Sequence, residues 1–331
     1  MDRRKAHTKL LEDEGLTDEW NGFVTAYRDI TDNQIKAMKG KLDPGRGFRL
    51  PAVKRIQSDP FALEPVSGSI SDLAYENVSE RDYSALIREL AKVLEYEPGK
   101  TEKVKLSSDE PEALLNEIAN VLNTAGMARD QAFAQLSEKE VKFLYGQSPN
   151  LCRQMVKHIY IHAYENTLQA NLTLLNLQSK VDFDSLYRGA AILSSLFMPE
   201  NVEHMTKVFS QKRKGNERVN GVDGKVLVSA ESNYGPLLVG GKYKNSYAGA
   251  YAFIFDLGGE DTYKDQGAAR KGQTVSVVLD AGGDDTYTGG DFATAGALAG
   301  YGMILDLLGK RQLLWRLYVT GFRYVRSRFA G

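Results

Sequence analysis

Ile254–Tyr263 reads IFDLGGEDTY and Val278–Tyr287 reads VLDAGGDDTY, so nearly the same ten residues occur twice, 24 positions apart (278 − 254). A third copy opens at Ile304–Gly309, ILDLLG, and gives way to a basic, aromatic tail. Self-similarity at a fixed period of this length marks stacked repeats, in which each unit buries its apolar face against its neighbours. In the two full copies an apolar run ends in Asp256 or Asp280, followed by a glycine pair (Gly258 and Gly259, Gly282 and Gly283), an acidic pair, Thr and Tyr. The glycines permit a sharp left-handed turn where a Cβ would clash. The acid after the pair can accept backbone N–H bonds in that turn, leaving Tyr263 and Tyr287 to point inward or stack in register. Leu237–Tyr247, LLVGGKYKNSY, is an earlier copy that keeps Gly240, Gly241 and Tyr247 but carries Lys242, Lys244 and Asn245 in place of the acids.

Outward from these copies, Val226–Val228, Ala252–Phe255 and Val275–Leu279 are short β-branched and aromatic runs, each cut off by glycine, and they predict strands. Before about position 214 glycine is sparse and the apolar spacing is helical. Thr17 precedes Trp20, Phe23, Val24, Tyr27 and Ile30, and Ser79 precedes Tyr83, Leu86, Ile87, Leu90, Val93 and Leu94. Ser107 with Glu110, and Ser137 with Glu140, match the capping box at a helix start, and Pro111 suits a first turn. Further helices are expected over 151–177, 183–197 and 202–209. At 211–224, QKRKGNERVNGVDG, the dipeptides Asn220-Gly221 and Asp223-Gly224 favour tight turns. The predicted class is α+β: a helical domain over 1–214 with an irregular connection near 41–68, then a glycine-rich β-solenoid-like (parallel β-helix-like) repeat domain over 215–309, truncated at its C-terminus, and a basic tail over 310–331.

Composition narrows the function classes. At 331 residues and 42% hydrophobic content the chain can bury about two cores. A formal net charge of -1 gives no general attraction to nucleic acid. The basic cluster Lys212, Arg213, Lys214 and Arg218 is interrupted by Glu217 and Asp223, with no aromatic platform, and reads as a solvated linker. Cys152 is the only cysteine, which excludes an intrachain disulfide, a zinc ribbon and a CxxC redox pair. No apolar run approaches the ~20 residues that span a bilayer. The start, MDRRKAHTKLLEDEG, lacks the apolar stretch of a secretory signal, so the expectation is an intracellular protein or an N-terminus lying further upstream.

The glycine-cornered copies resemble tandem GGDDxY repeats, found in bacterial proteins of uncharacterised role, and more distantly the repeats-in-toxin calcium solenoids. The resemblance covers about the last quarter of the chain. It implies an extracytoplasmic parent and a calcium-type cation held by acids facing each other on neighbouring coils: Asp256, Glu260, Asp261, Asp280, Asp284 and Asp285. The calcium solenoids repeat about every nine residues, whereas these acids recur once per 24, so the short-period cage is not reproduced. The competing reading is that the acids satisfy turn backbones and solvate an edge.

Two function classes follow. The leading expectation is a non-enzymatic binding or structural repeat protein that meets a surface polymer, a cation or another protein. The alternative is a carbohydrate-active enzyme using paired carboxylates on a solenoid face, with Glu260 and Asp261, or Asp284 and Asp285, as acid and base. Other constellations are thin. His158 and His162 stand at i and i+4 with Glu165 beyond, but without the HExxH order of zinc proteases. His7, His204 and Cys152 lack catalytic neighbours.

In the tail, Lys310, Arg311, Arg316, Arg323, Arg326 and Arg328 occur with no acidic residue. An amphipathic membrane-surface helix using Leu313, Leu314, Trp315, Leu317 and Tyr318 is the least favoured reading, and an ordinary terminal helix is a second. The favoured reading is a frameshift product. With one extra base in an adenine run at the Lys310 codon, the neighbouring frame reads, with permitted codon choices, NDSYFGGYTSQASGTFAAG. DLLG then continues into DLLGNDSYFGG, position for position with DAGGDDTYTGG.

Overall fold

The computed structural model describes residues 3–39, 55–56, 62–101, 103–161, 168–212, 218–290, 293–309 and 311–315. The chain divides into two compact units, Met1–Glu80 with Glu89–Glu97, and Arg81–Arg88 with Pro98–Gly331. The first unit carries α1 (Arg3–Asp13), α2 (Thr17–Lys39) and α3 (Leu63–Ser79). On α2 the spacing that predicts a helix places Trp20, Phe23 and Tyr27 on one face, with ring centroids 5.6 and 6.2 Å apart. The irregular connection expected near 41–68 is corrected at its end, because 63–68 are the first residues of α3. Pro65 sits in the first turn, where a missing N–H costs nothing.

After α4 (Tyr83–Val93) the second unit adds α5 (Pro111–Ala132), α6 (Glu138–Ile161), α7 (Leu168–Gln178), α8 (Phe183–Ser194), a 3-10 turn at Ser195–Phe197 and α9 (Pro199–Ser210). Ser137 and Glu140 form the expected capping box: the Ser137 N–H donates to Glu140 Oε2 at 2.9 Å. Ser107 and Glu110 do not. The Ser107 and Ser108 hydroxyls and N–H groups all turn to Glu117, about two helical turns further in, and Glu110 makes no side-chain cap. Pro111 opens α5 as predicted. Its buried face, Leu114, Leu115, Ile118, Leu122 and Ala125, follows the helical repeat.

The first strand lies between Gly221 and Gly224, both with positive φ (83° and 139°). One five-stranded sheet runs β2 (Val226–Ser232), β3 (Gly235–Gly240), β5 (Phe253–Asp256), β7 (Val275–Asp280), β9 (Tyr301–Asp306). The other runs β1 (Val222–Asp223), β4 (Ser246–Tyr247), β6 (Thr262–Lys264), β8 (Asp285–Gly289), β10 (Arg311–Trp315). In each sheet the first pair is antiparallel and the rest are parallel. Equivalent repeat residues pair directly: Asp256 with Asp280 and Asp280 with Asp306, Tyr247 with Tyr263 and Tyr263 with Tyr287.

The larger-stranded sheet is covered on both faces, as parallel strands usually are. Phe253, Phe255, Val277 and Leu279 join Leu122, Leu196 and Phe209 of the helices in one apolar cluster. Ile254 and Val278 face the other way, toward Tyr247, Tyr263 and Tyr287. The boundary expected near 214 is therefore a change of secondary structure inside one compact unit, because helices and strands share that cluster. In the tail, 311–315 are strand, with Arg311 opposite Asp285 and position 313 opposite Tyr287. That is the register in which DLLGNDSYFGG aligns with DAGGDDTYTGG; the helical readings of the 310–331 tail are corrected at 311–315, which are strand, and beyond 315 they lie outside the described residues. No described helix is long and apolar enough to cross a membrane.

Candidate functional site

The repeat residues meet between the two sheets, where three strands of one sheet, β5, β7 and β9, end in Asp256, Asp280 and Asp306. Asp256 Oδ1 accepts the Gly258 N–H at 2.8 Å, and Asp280 Oδ1 accepts the Gly282 N–H at 2.8 Å. The turn is thus held by the acid before the glycine pair, not by the acid after it as expected. Gly258 has φ 123° and Gly283 φ 156°, and a Cβ on Gly283 would stand 1.8 Å from the Gly259 carbonyl oxygen. Glycine is required there because adjacent copies bring backbone against backbone.

The acid after the pair ties one copy to the next. The Asn245 N–H donates to Asp261 Oδ1 at 2.5 Å, and the Asp261 N–H donates to Asp285 Oδ1 at 2.8 Å. Tyr247, Tyr263 and Tyr287 stack with centroid separations of 5.1 and 4.8 Å and interplanar angles of 18° and 11°. Each hydroxyl crosses the interior to a strand-end acid: Tyr247 donates to Asp256, Tyr263 to Asp280 at 2.5 Å, and Tyr287 to Asp306 at 3.1 Å. Burial lifts the Tyr263 hydroxyl well above its usual pKa, and the facing Asp256 and Asp280 charges add to the effect.

Of the six acids expected to bind metal, the fold gathers three. Asp261, Asp280 and Asp285 are buried, and one oxygen of each lies within 4.8 Å of the others. Asp256 is buried beside them, with Oδ2 accepting from Tyr247 and from Asn245 Nδ2 at 3.1 Å. Glu260 and Asp284 are exposed and do not join the group. At this separation and an effective dielectric constant of about 20, two full charges repel by roughly 3.5 kcal/mol. Burial pushes the Asp261 carboxyl up to about 6 and the Asp285 carboxyl up to about 7, with the charge of Asp280 raising both further.

Two contributors escape the sequence reading. Asn245 occupies the first position of the Asp261 and Asp285 row, its Oδ1 accepting the Lys225 N–H at 2.7 Å. Alignment on Tyr247 was the available signal. Gly240 stands opposite Asp256, where a Cβ would come within 2.1 Å of both the Tyr247 hydroxyl and Asp256 Oδ2, so the row of strand-end acids must start one copy later. Elsewhere, His204 Nε2 lies 2.9 Å from the Ser108 carbonyl and braces a loop. The side chains of His7, Cys152 and His158, with His162 and Glu165, lie outside the described residues. Lys212 of the basic cluster pairs with Glu112.

No protein-family model, curated protein or solved structure matches this chain.

Proposed function

We propose that the glycine-rich part is a β-solenoid of two-strand coils, related to tandem GGDDxY repeats, and that it serves as a non-enzymatic structural and binding module. The observation that carries this reading is where the repeat acids point. Asp256, Asp261, Asp280 and Asp285 are buried and bonded to the backbone or tyrosine of their own or a neighbouring copy. Their polar capacity is directed into stacking one copy on the next. The sequence-adjacent carboxylates separate: Glu260 and Asp284 are exposed while Asp261 and Asp285 turn inward. Neither pair lies wholly within a strand, and the N–H groups of Asn245 and Asp261 hold Asp261 and Asp285 inward. Such a pair does not flank a glycosidic bond from one groove, as an acid and base must.

The outward side supplies a repeated surface instead. Ser246, Thr262 and Thr286 lie in register on adjacent strands and are part-exposed, forming a row of hydroxyls about 4.8 Å apart. A regular polymer with its own hydroxyl groups matches such a row, and an extracellular surface polysaccharide is the partner this chemistry favours. The test is to incubate the full chain with a panel of surface polysaccharides and measure both retention and release of new reducing ends. Retention without turnover is expected. Reducing-end release that disappears in Asp285→Asn would transfer the assignment to the carbohydrate-active enzyme.

A further inference from the structure

We infer that Asp261, Asp280 and Asp285 form an interior site for a hard divalent cation of the calcium class, held between two adjacent repeat copies. The argument stands on these three side chains and does not depend on what the outer surface binds. Asp261 and Asp285 are each 1% exposed, and each uses Oδ1 to hold a backbone N–H of the preceding copy. Their second oxygens, Asp261 Oδ2 and Asp285 Oδ2, are buried and reached by no hydrogen-bond donor. A buried carboxylate oxygen with no donor is costly, and two of them aimed at a third carboxylate are more so. A cation among them satisfies both, while Asp280, whose oxygens already accept from the Gly282 N–H and the Tyr263 hydroxyl, adds its charge.

The donor set defines the ion. All three ligands are carboxylate oxygens, with no nitrogen or sulfur, which selects calcium, magnesium or manganese over zinc and copper. Their spread of up to 4.8 Å is about twice a calcium–oxygen bond of roughly 2.4 Å, whereas magnesium at about 2.1 Å demands a tighter octahedron. Both flanking glycines shape the cradle: a Cβ on Gly259 would lie 2.9 Å from Asp261 Oδ2, and one on Gly283 would lie 2.9 Å from both Asp285 oxygens. Tyr263, which donates to Asp280, places an aromatic chromophore beside the site. The exposed acids Glu260 and Asp284, although adjacent in sequence, take no part.

The experiment uses the full chain stripped of metal at pH 8, with calcium chloride and terbium chloride as probes. Excitation of tyrosine should produce sensitised terbium luminescence that calcium displaces. Calcium at about a hundred times its dissociation constant should raise the folding equilibrium constant about a hundred-fold, read as a higher melting temperature. Asp285→Asn keeps an oxygen for the Asp261 N–H and removes the charge, so it should fold with an unchanged circular dichroism spectrum and lose both responses. Asp284→Asn should retain both. A wild-type chain that shows no luminescence and no calcium-dependent shift overturns the site, as does a shift of equal size in Asp285→Asn. A response to zinc but not to calcium overturns the assigned ion class.

Discussion

The second compact unit contains two interiors that are built by different physics. Between helices and sheet, Leu122, Leu196, Phe209, Phe253, Phe255 and Val277 pack apolar surface against apolar surface, with the Tyr301 hydroxyl reaching the Leu186 carbonyl at the margin. Between the sheets, Tyr247, Tyr263 and Tyr287 share the space with Asp256, Asp280 and Asp306, and each hydroxyl has an assigned acceptor. The first interior is non-directional and tolerates exchange of one apolar shape for another. The second specifies register, because sliding one copy by a single residue would part its tyrosine and its acid from their partners in the adjacent copies. Strength comes from one side of the sheet and alignment from the other.

The largest effect is expected on the apolar side. Phe255 is fully buried and its ring lies 5.6 Å from that of Phe209. Phe255→Ala should cost about 3–5 kcal/mol in urea unfolding. A cost under about 1 kcal/mol would mean that the helices lend little to the sheet, and the comparison would fail at its first term. Next comes the polar side's backbone. Gly283→Ala forces a Cβ against the Gly259 carbonyl, so backbone strain of about 1–3 kcal/mol is joined by separation of the two copies. It should also abolish sensitised terbium luminescence, which Phe255→Ala, measured in the folded fraction, should leave intact.

Smaller still is Tyr263→Phe, which keeps the ring stack and removes only the hydroxyl. Asp280 then loses a buried donor, and a destabilisation of about 1–3 kcal/mol is expected from equilibrium unfolding. The same change at Tyr287, whose bond to Asp306 is longer at 3.1 Å, should cost less. Equal and negligible losses at both positions would show that the tyrosines act as plain hydrophobes, erasing the distinction between the two interiors.

How far these interiors could be read from the sequence differs in the same way. The 24-residue copies and the glycine cuts made strands and their pairing legible, since Gly258 and Gly282 mark the same turn twice. Tyrosine stacking followed from the shared position of Tyr263 and Tyr287. The division of labour among the acids did not. GEDT and GDDT present adjacent carboxylates as equals, and only the N–H groups of Asn245 and Asp261, brought in by the preceding copy, hold Asp261 and Asp285 inward while Glu260 and Asp284 stay outside. Nor could the sequence show that α5 and α9 lie against the strands, because an amphipathic helix declares that it has a buried face and not what covers it. The composition change near 214 looked like a border for that reason.

The gentlest perturbation of the comparison is pH, which acts on the polar interior and leaves the apolar one untouched. Burial raises the Asp261 carboxyl to about 6 and that of Asp285 to about 7, against an unfolded value of 3.8. Between about pH 4 and 7 the folded chain therefore binds more protons than the unfolded chain, and these two groups make stability fall as pH rises. Glu140 acts in the opposite sense at the acid end. Its bond from Lys180 and those from Ser137 lower it to about 2 from 4.5, a contribution present above 4.5 and lost as pH falls toward 2. The metal-free chain should accordingly be most stable near pH 4–5, and its urea midpoint should decline toward pH 8. Calcium competes with the same protons, so it should flatten the decline above pH 6 and bind more tightly as pH increases. Asp285→Asn should make the decline shallower without calcium, because one of the carboxyls that burial raises is gone. A metal-free midpoint that climbs steadily from pH 4 to 7 would place the acids in solvent-like surroundings, and the polar interior would lose the feature that separates it from the apolar one.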